Sequence, residues 1–372
     1  MSASPISGFA EAPFGRARDA FLRNFDESRE RGAGFSVFVE GRCVVDLIGG
    51  WFDRDNTTAW SKDTLVGIYS SGKLVVAMLI ARAASEGRLN YNAPVAHYWP
   101  EFAANRKGDI TVAEALSHQA GLVGFPDEMP PEDWLDWGKI CARIAATGPL
   151  FPPRSASGYS PQLFGFIAGE LLRRATGRGV AEILREDFGE IDLHCAMRPD
   201  EIARAAYMQK PPKPPDLGPL TELKRIAFLK PWSAPAKVSR EEWMAAEIPS
   251  ANIHATARSL AELAHPFADH GMFRGERFLS ADAIEAACRE RVAGDDLVLP
   301  FTLSWSAGFM RNMNRHFGPA PSAFGHAGFG GSAVMFDPQQ RLSAAYVMSN
   351  MSPHLIGDPR ALRLFEAVYD AL

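Results

Sequence analysis

Apolar residues recur at helical spacing in two long stretches of the chain and at strand-like spacing near both of its ends. From Gly72 to Glu86, Leu74, Ala77, Met78 and Ala81 fall on one helical face. Leu163–Thr176 gives a second strong helix, which Gly177 should stop. Ala17–Arg31 reads as a charged amphipathic helix with Phe21, Leu22 and Phe25 together. Two strands, Gly34–Glu40 and Cys43–Gly49, follow around a Gly41-Arg42 turn, and Leu65–Tyr69 is a third. Ile110–Ser117 looks like a short helix, and Gly121–Pro131 a loop. From Arg198 to Val238 no period holds, and Pro211-Pro212-Lys213-Pro214-Pro215 excludes a helix or a central strand. In the last third, Ala255–His265, Ala281–Cys288 and Arg360–Leu372 read as helices. Phe301–Met310, Ser332–Phe336 and Leu342–Ser349 read as strands, the last two joined by a turn at Asp337-Pro338.

Strand pairs at both ends predict an α/β fold of one domain, residues 1–372. An antiparallel sheet and its helices come from about 1–80 and 255–372, and a mostly helical region, about 81–254, is inserted between them.

Composition narrows the function more than the fold. A net charge of -5 and scattered basic residues give no footprint for nucleic acid or an anionic membrane. Met1–Phe14 lacks the basic start and apolar run of a signal peptide, and no segment is apolar enough to span a membrane. Cys43, Cys141, Cys195 and Cys288 lie far apart without a CxxC pair, which fits isolated thiols in a reducing compartment, by default the cytoplasm.

Ser70-Ser71-Gly72-Lys73 is the one Ser-x-x-Lys in the chain, at the junction of a strand and a strong helix. Three residues apart, Ser70 and Lys73 share a helix face within hydrogen-bonding reach. The helix start leaves backbone N–H groups free to meet a developing oxyanion. A serine hydroxyl needs a neighbour to take its proton, and a lysine can do so only where its surroundings lower its pKa. The four-residue pattern also arises by chance. Tyr159, at a loop-to-helix junction, offers a phenol for proton relay, or simply a ring packed at a helix entry. His326-Ala327-Gly328-Phe329-Gly330-Gly331 lets backbone approach a ligand closely, or is a tight turn with an exposed histidine. His265, Asp269 and His270 have metal-like spacing but read better as a solvated helix end. Trp134, Trp137 and Phe151 line an acyl pocket or are ordinary packing. Asp127, Glu128, Glu132 and Asp133 form a solvated acidic loop. No Gly-x-Ser-x-Gly elbow is present, which removes the α/β-hydrolase design.

In this order the three elements resemble the serine β-lactamase and penicillin-binding-protein superfamily, especially its class C branch and the related family VIII carboxylesterases. The resemblance runs through "TLVGIYSSGK", "ITVAEALSHQAGL", "GYSPQLFGFIAGELLRRATG" and "FGHAGFGGSAVMFDPQQRLSAAYVMSN". It implies a β-lactamase-like fold and a two-step hydrolysis. Ser70 is acylated, Lys73 and Tyr159 share the roles of base and acid, and the N–H groups of Ser70 and Phe329 form the oxyanion hole. His326 and Gly328 then contact substrate, His326 at the position of a lysine in β-lactamases.

Two departures stand out. Tyr-x-Asn becomes Tyr159-Ser160-Pro161, and Lys-Thr/Ser-Gly becomes His326-Ala327-Gly328, with no lysine after Lys237. The missing lysine and hydroxyl favour neutral esters over β-lactams; small esters with short acyl chains, and no cofactor or metal, are what the resemblance implies. A β-lactamase, a D-amino-acid peptidase or amidase, and an acyltransferase share this machinery. A silent binding protein could share the fold. A cell-wall peptidase would need export. Oligomeric state and the place of Lys210–Pro219 are open.

Overall fold

In the computed structural model, which describes residues 5–27 and 30–372, both ends of the chain build one antiparallel sheet. The N-terminal strands are β1 (Ile6–Ala10), β2 (Gly32–Val39) and β3 (Arg42–Gly50). The C-terminal ones are β4 (Val292–Asp295), β5 (Thr302–Trp305), β6 (Met310–Arg311), β7 (Phe324–Ala327), β8 (Ala333–Asp337) and β9 (Leu342–Met348). Among the described residues the order is β1-β3-β2-β9-β8-β7-β6-β5-β4. The two halves meet where β2 pairs with β9, from Leu342 opposite Val39 to Met348 opposite Ala33.

Helices α1 (Gly15–Glu27), α2 (Gly72–Ser85), α4 (Ala257–Ala268) and α5 (Pro359–Tyr369) lie against this sheet, and α3 (Leu163–Thr176) packs on α2. On one face Ala17 and Phe21 of α1 and Leu364 and Phe365 of α5 pack with Phe35 and Val45. On the other, Leu260, Ala264 and Phe267 of α4 pack with Val334, Phe336 and Ala345. Covered on both sides, β9 is buried at every position, so its sequence is almost continuously apolar rather than alternating.

Helix α2 is buried from Gly72 through Ala81, not on a single face, as expected of a helix that is apolar all round. Helix α3 stops where the sequence predicts: Gly177 sits at φ +81°, and its N–H caps Arg173.

Several expectations are corrected. Phe301–Met310 is a hairpin, β5 and β6, turned by Gly308 at φ +106°. Leu65–Tyr69 contributes only Val66–Gly67 to a small separate sheet. Within Arg198–Val238 lie a short helix, Pro199–Ala203, and a turn at Glu222–Lys224 that runs into a π-helical turn, Arg225–Leu229. Helix α1 is described to Glu27; of its predicted continuation, Ser28 and Arg29 lie outside the described residues, and Glu30 and Arg31 are not helical.

A buried ion network ties the two ends together. Arg360 Nη1 lies 3.0 Å from Glu30 Oε2, and Nη2 lies 2.9 Å from Asp358 Oδ2, with Tyr346 donating its hydroxyl to Glu30. Arg360 Nη2 also donates to the Gly330 carbonyl at 3.0 Å, in the glycine-rich turn. Arg360→Met strands two buried carboxylates, so it should cost about 3–5 kcal/mol. Urea unfolding checks this; a loss under about 1 kcal/mol would show the network to be dispensable.

Candidate active site

Ser70 lies in the 3-10 turn Tyr69–Ser71 that opens directly into α2, so the first helical turn carries Lys73 beneath it. Tyr69 is held at φ +46°, a left-handed conformation that costs a non-glycine residue about 1–3 kcal/mol. Its ring is fixed edge-on to Phe329 and tilted against Trp243.

Lys73 is fully buried, and its Nζ lies 2.9 Å from Ser70 Oγ and 2.8 Å from the Pro161 carbonyl. Burial without a carboxylate partner pulls its pKa well below the ordinary 10.5. Tyr159, also buried, donates its hydroxyl to Ser70 Oγ at 2.7 Å, and burial pushes its phenol above the usual 10. One neighbour of Ser70 therefore gives up its proton easily, and the other holds its own firmly. Lys107 is a useful contrast, for its buried Nζ donates to three carbonyls, of Ala104, Ala145 and Thr147, and holds only backbone.

Strand β7 and the turn after it approach from the sheet. The Phe329 N–H donates to no acceptor among the described residues. The turn's first backbone bond runs from Ser71 to Ile68, so the Ser70 N–H lies upstream of the helical ladder.

His326 and Gly328 are placed differently from the expectation, because neither has surface on the cleft. His326 is fully buried, with its ring against Tyr159 and Trp305. Burial, with Lys73 nearby, lowers it to about 3. At Gly328 a Cβ would come within 2.2 Å of the Ile68 carbonyl oxygen and of Ser332 Oγ. Around them Ser332 Oγ donates to the Ile68 carbonyl at 2.8 Å, and Ser71 Oγ to that of His326 at 3.3 Å. These bonds tie the segment to the Ser70 turn, while its Ala327 and Phe329 line the cleft.

Two neighbours of Tyr159 escaped the sequence reading. Asp296 is buried and accepts the N–H groups of Tyr159 (3.0 Å), Val298 and Leu299 (both 2.9 Å) and the Ser157 hydroxyl (2.7 Å). His118 accepts the Ser160 N–H at Nδ1, and its ring packs on Tyr159 and Trp305. Burial holds it neutral, well below its usual 6.5. The available signals were an Asp two residues before the N–H it caps and a histidine inside "EALSHQAGL".

In front of Ser70 opens a cleft of about 680 Å³, lined mainly by apolar side chains. Pro214–Gly218 and Leu220 form part of its wall, which places the Pro-rich stretch over the site. Trp134, Trp137 and Phe151 are core packing and do not reach the cleft. The acidic loop is mostly exposed, and only Asp133 of its four acidic residues is partly covered.

The metal-like triplet is a solvated helix end only at His270, which is exposed. His265 and Asp269 are buried. The two ring nitrogens of His265 bond to the Gly41 N–H and to Ser343 Oγ, and Asp269 pairs with Arg341. Among the described residues no group of three or more His, Cys, Asp or Glu is placed to hold a metal ion, and no helix is long and apolar enough to cross a membrane.

Comparison with known proteins agrees with this architecture. A beta-lactamase family model matches residues 18–369. Esterase/beta-lactamase LipL of Mycobacterium tuberculosis is 32% identical over 371 residues, covering 94% of this chain and 84% of that protein. A penicillin-binding-protein homolog from Caulobacter crescentus superposes with a TM-score of 0.96 at 47% identity, covering 99% and 100% of the two chains. A family VIII carboxylesterase superposes at 0.92 and 38%, with the same coverage.

Proposed function

The chain belongs to the beta-lactamase family, and from that premise we propose that it is a carboxylesterase acting through an acyl-enzyme on Ser70. The observation that carries the proposal is the convergence of two buried proton-transfer groups, Lys73 Nζ and Tyr159 OH, on one serine oxygen.

Neutral Lys73 accepts the Ser70 proton as Oγ attacks the ester carbonyl. The oxyanion develops against the N–H groups of Ser70 and Phe329. The Tyr159 phenol, kept protonated by burial, donates toward the leaving alkoxide and is reprotonated through the pair. Water then releases the acid by the reverse relay. The two groups titrate as one coupled system. Likeness to a carboxylesterase and to an esterase/beta-lactamase supports esters as substrates, and the preference for short acyl chains is carried over from the resemblance. Four unpaired thiols fit a reducing compartment, the cytoplasm.

β-Lactam hydrolysis is the second reading, favoured by the name of the relative LipL. Against it, no lysine or arginine among the described residues lines the cleft to hold a carboxylate. The deciding experiment sets p-nitrophenyl acetate and butyrate against a chromogenic cephalosporin, with mass spectrometry of the quenched enzyme. Esterase function requires ester turnover and an acyl adduct on Ser70. Faster cleavage of the cephalosporin would make the protein a β-lactamase.

The pH profile has a definite sign. Because activity needs Lys73 without its proton, kcat/KM rises with pH along an acid limb whose midpoint lies below 10.5. His326, at about 3, and His118, well below 6.5, stay neutral and add no limb near neutrality. Profiles of wild type and His326→Asn check this: the rate falls while the midpoint stays. A midpoint that disappears with His326 would assign the limb to histidine.

A further inference from the structure

We infer that the cleft is built for an uncharged ester carrying one bulky apolar group, larger than the short acyl chains that the family likeness suggests. This rests on the esterase reading and specifies its substrate class. A cavity of about 680 Å³ is the size that encloses a drug-sized ligand, far more than a butyryl group occupies.

The wall opposite the glycine-rich turn combines the Pro-rich strap and the π-helical turn. It presents Leu217, Phe228 and, at the rim, Leu220 and Leu229. The two rim leucines are 49% and 48% exposed, continuous with the buried apolar wall. This surface is preformed. The buried Lys224 Nζ donates to the Leu217 carbonyl at 2.6 Å, and Ser233 Oγ to that of Ile226 at 2.8 Å. Neither the strap nor the π-turn needs to be ordered by substrate, so apolar contact there goes into binding.

Charge points the same way. Asp216, exposed at the rim, is the single charged residue among those lining the cleft. A carboxylate on the bound group would lose water, gain no cation and approach that aspartate. Asp216 Oδ1 accepts the Gly218 N–H at 2.8 Å, a bond that asparagine can keep.

The test uses the full-length enzyme and matched esters. For size, p-nitrophenyl butanoate is compared with the 4-phenylbutanoate on the acyl side, and ethyl butanoate with 2-phenylethyl butanoate on the alcohol side. For charge, p-nitrophenyl pentanoate is compared with the p-nitrophenyl monoester of glutaric acid. In at least one size pair the phenyl group should raise kcat/KM about tenfold or more, chiefly through KM. The glutarate should be about tenfold or more poorer than the pentanoate, and Asp216→Asn should narrow that gap. Flat or falling rates in both size pairs, or equal rates for pentanoate and glutarate, overturn the inference while Ser70-dependent turnover of p-nitrophenyl butanoate leaves the esterase reading standing. If that turnover does not depend on Ser70, both fall.

Discussion

Ser70→Ala will hydrolyse p-nitrophenyl butyrate on the order of 10⁴-fold or more slowly than wild type, with the fold intact. The loss is large because Lys73 and Tyr159 both act through Ser70, each aimed at its Oγ, at 2.9 and 2.7 Å. Alanine removes one half-buried oxygen and leaves no hole in the core, so Tm should move little. Initial rates, together with loss of the acyl adduct, measure the effect. A residual rate within about tenfold of wild type would mean that another nucleophile, or water alone, attacks the ester.

Lys73→Met comes next, with an expected loss of about 10²–10⁴ in kcat/KM. Methionine fills a similar space in a fully buried position without a group to ionise. Folding loses the bonds to the Pro161 carbonyl and to Ser70 Oγ, a cost of about 1–3 kcal/mol. Activity and stability therefore separate, and a thermal melt beside the kinetics distinguishes a missing base from a damaged fold. Burst kinetics separate the steps further. If Lys73 drives acylation, the variant shows no burst. If it serves only deacylation, the burst survives and the acyl-enzyme accumulates. A rate close to wild type would shift the base role to Tyr159 alone.

What could be read in advance follows the range of the interactions. Ser70 and Lys73 were legible because one helical turn relates them, and α2 announces itself by a long apolar run. The end of α3 at Gly177 was legible for the same local reason. The hairpin of β5 and β6 was not. Phe301, Leu303, Trp305, Ala307 and Phe309 keep a two-residue alternation straight through the turn, and Gly308 alone marks it. Tyr159 was marked out by its loop-to-helix junction, and the resemblance, not any period, set it above a ring packed at a helix entry. Asp296 holds it from 137 positions away, a distance no local pattern spans. His326 and Gly328 were assigned to substrate by analogy. Their burial shows that a motif can stay in place while its residues turn to bracing the nucleophile. The Pro-rich stretch was correctly denied regular structure, but its position on the cleft depends on Lys224 and the π-turn, which proline content does not reveal.

The pairing of β2 with β9 also bears on how the protein is made. Its partners stand about 300 residues apart in the chain. At translation rates of about 5–20 residues per second, roughly 15–60 s separate the synthesis of one strand from that of the other. Throughout that interval one edge of β2 has no partner and is open to pairing with any other exposed strand. The nascent chain should therefore need chaperone cover until its last strand is released. Faster synthesis or higher expression temperature should lower soluble yield before either affects the finished enzyme.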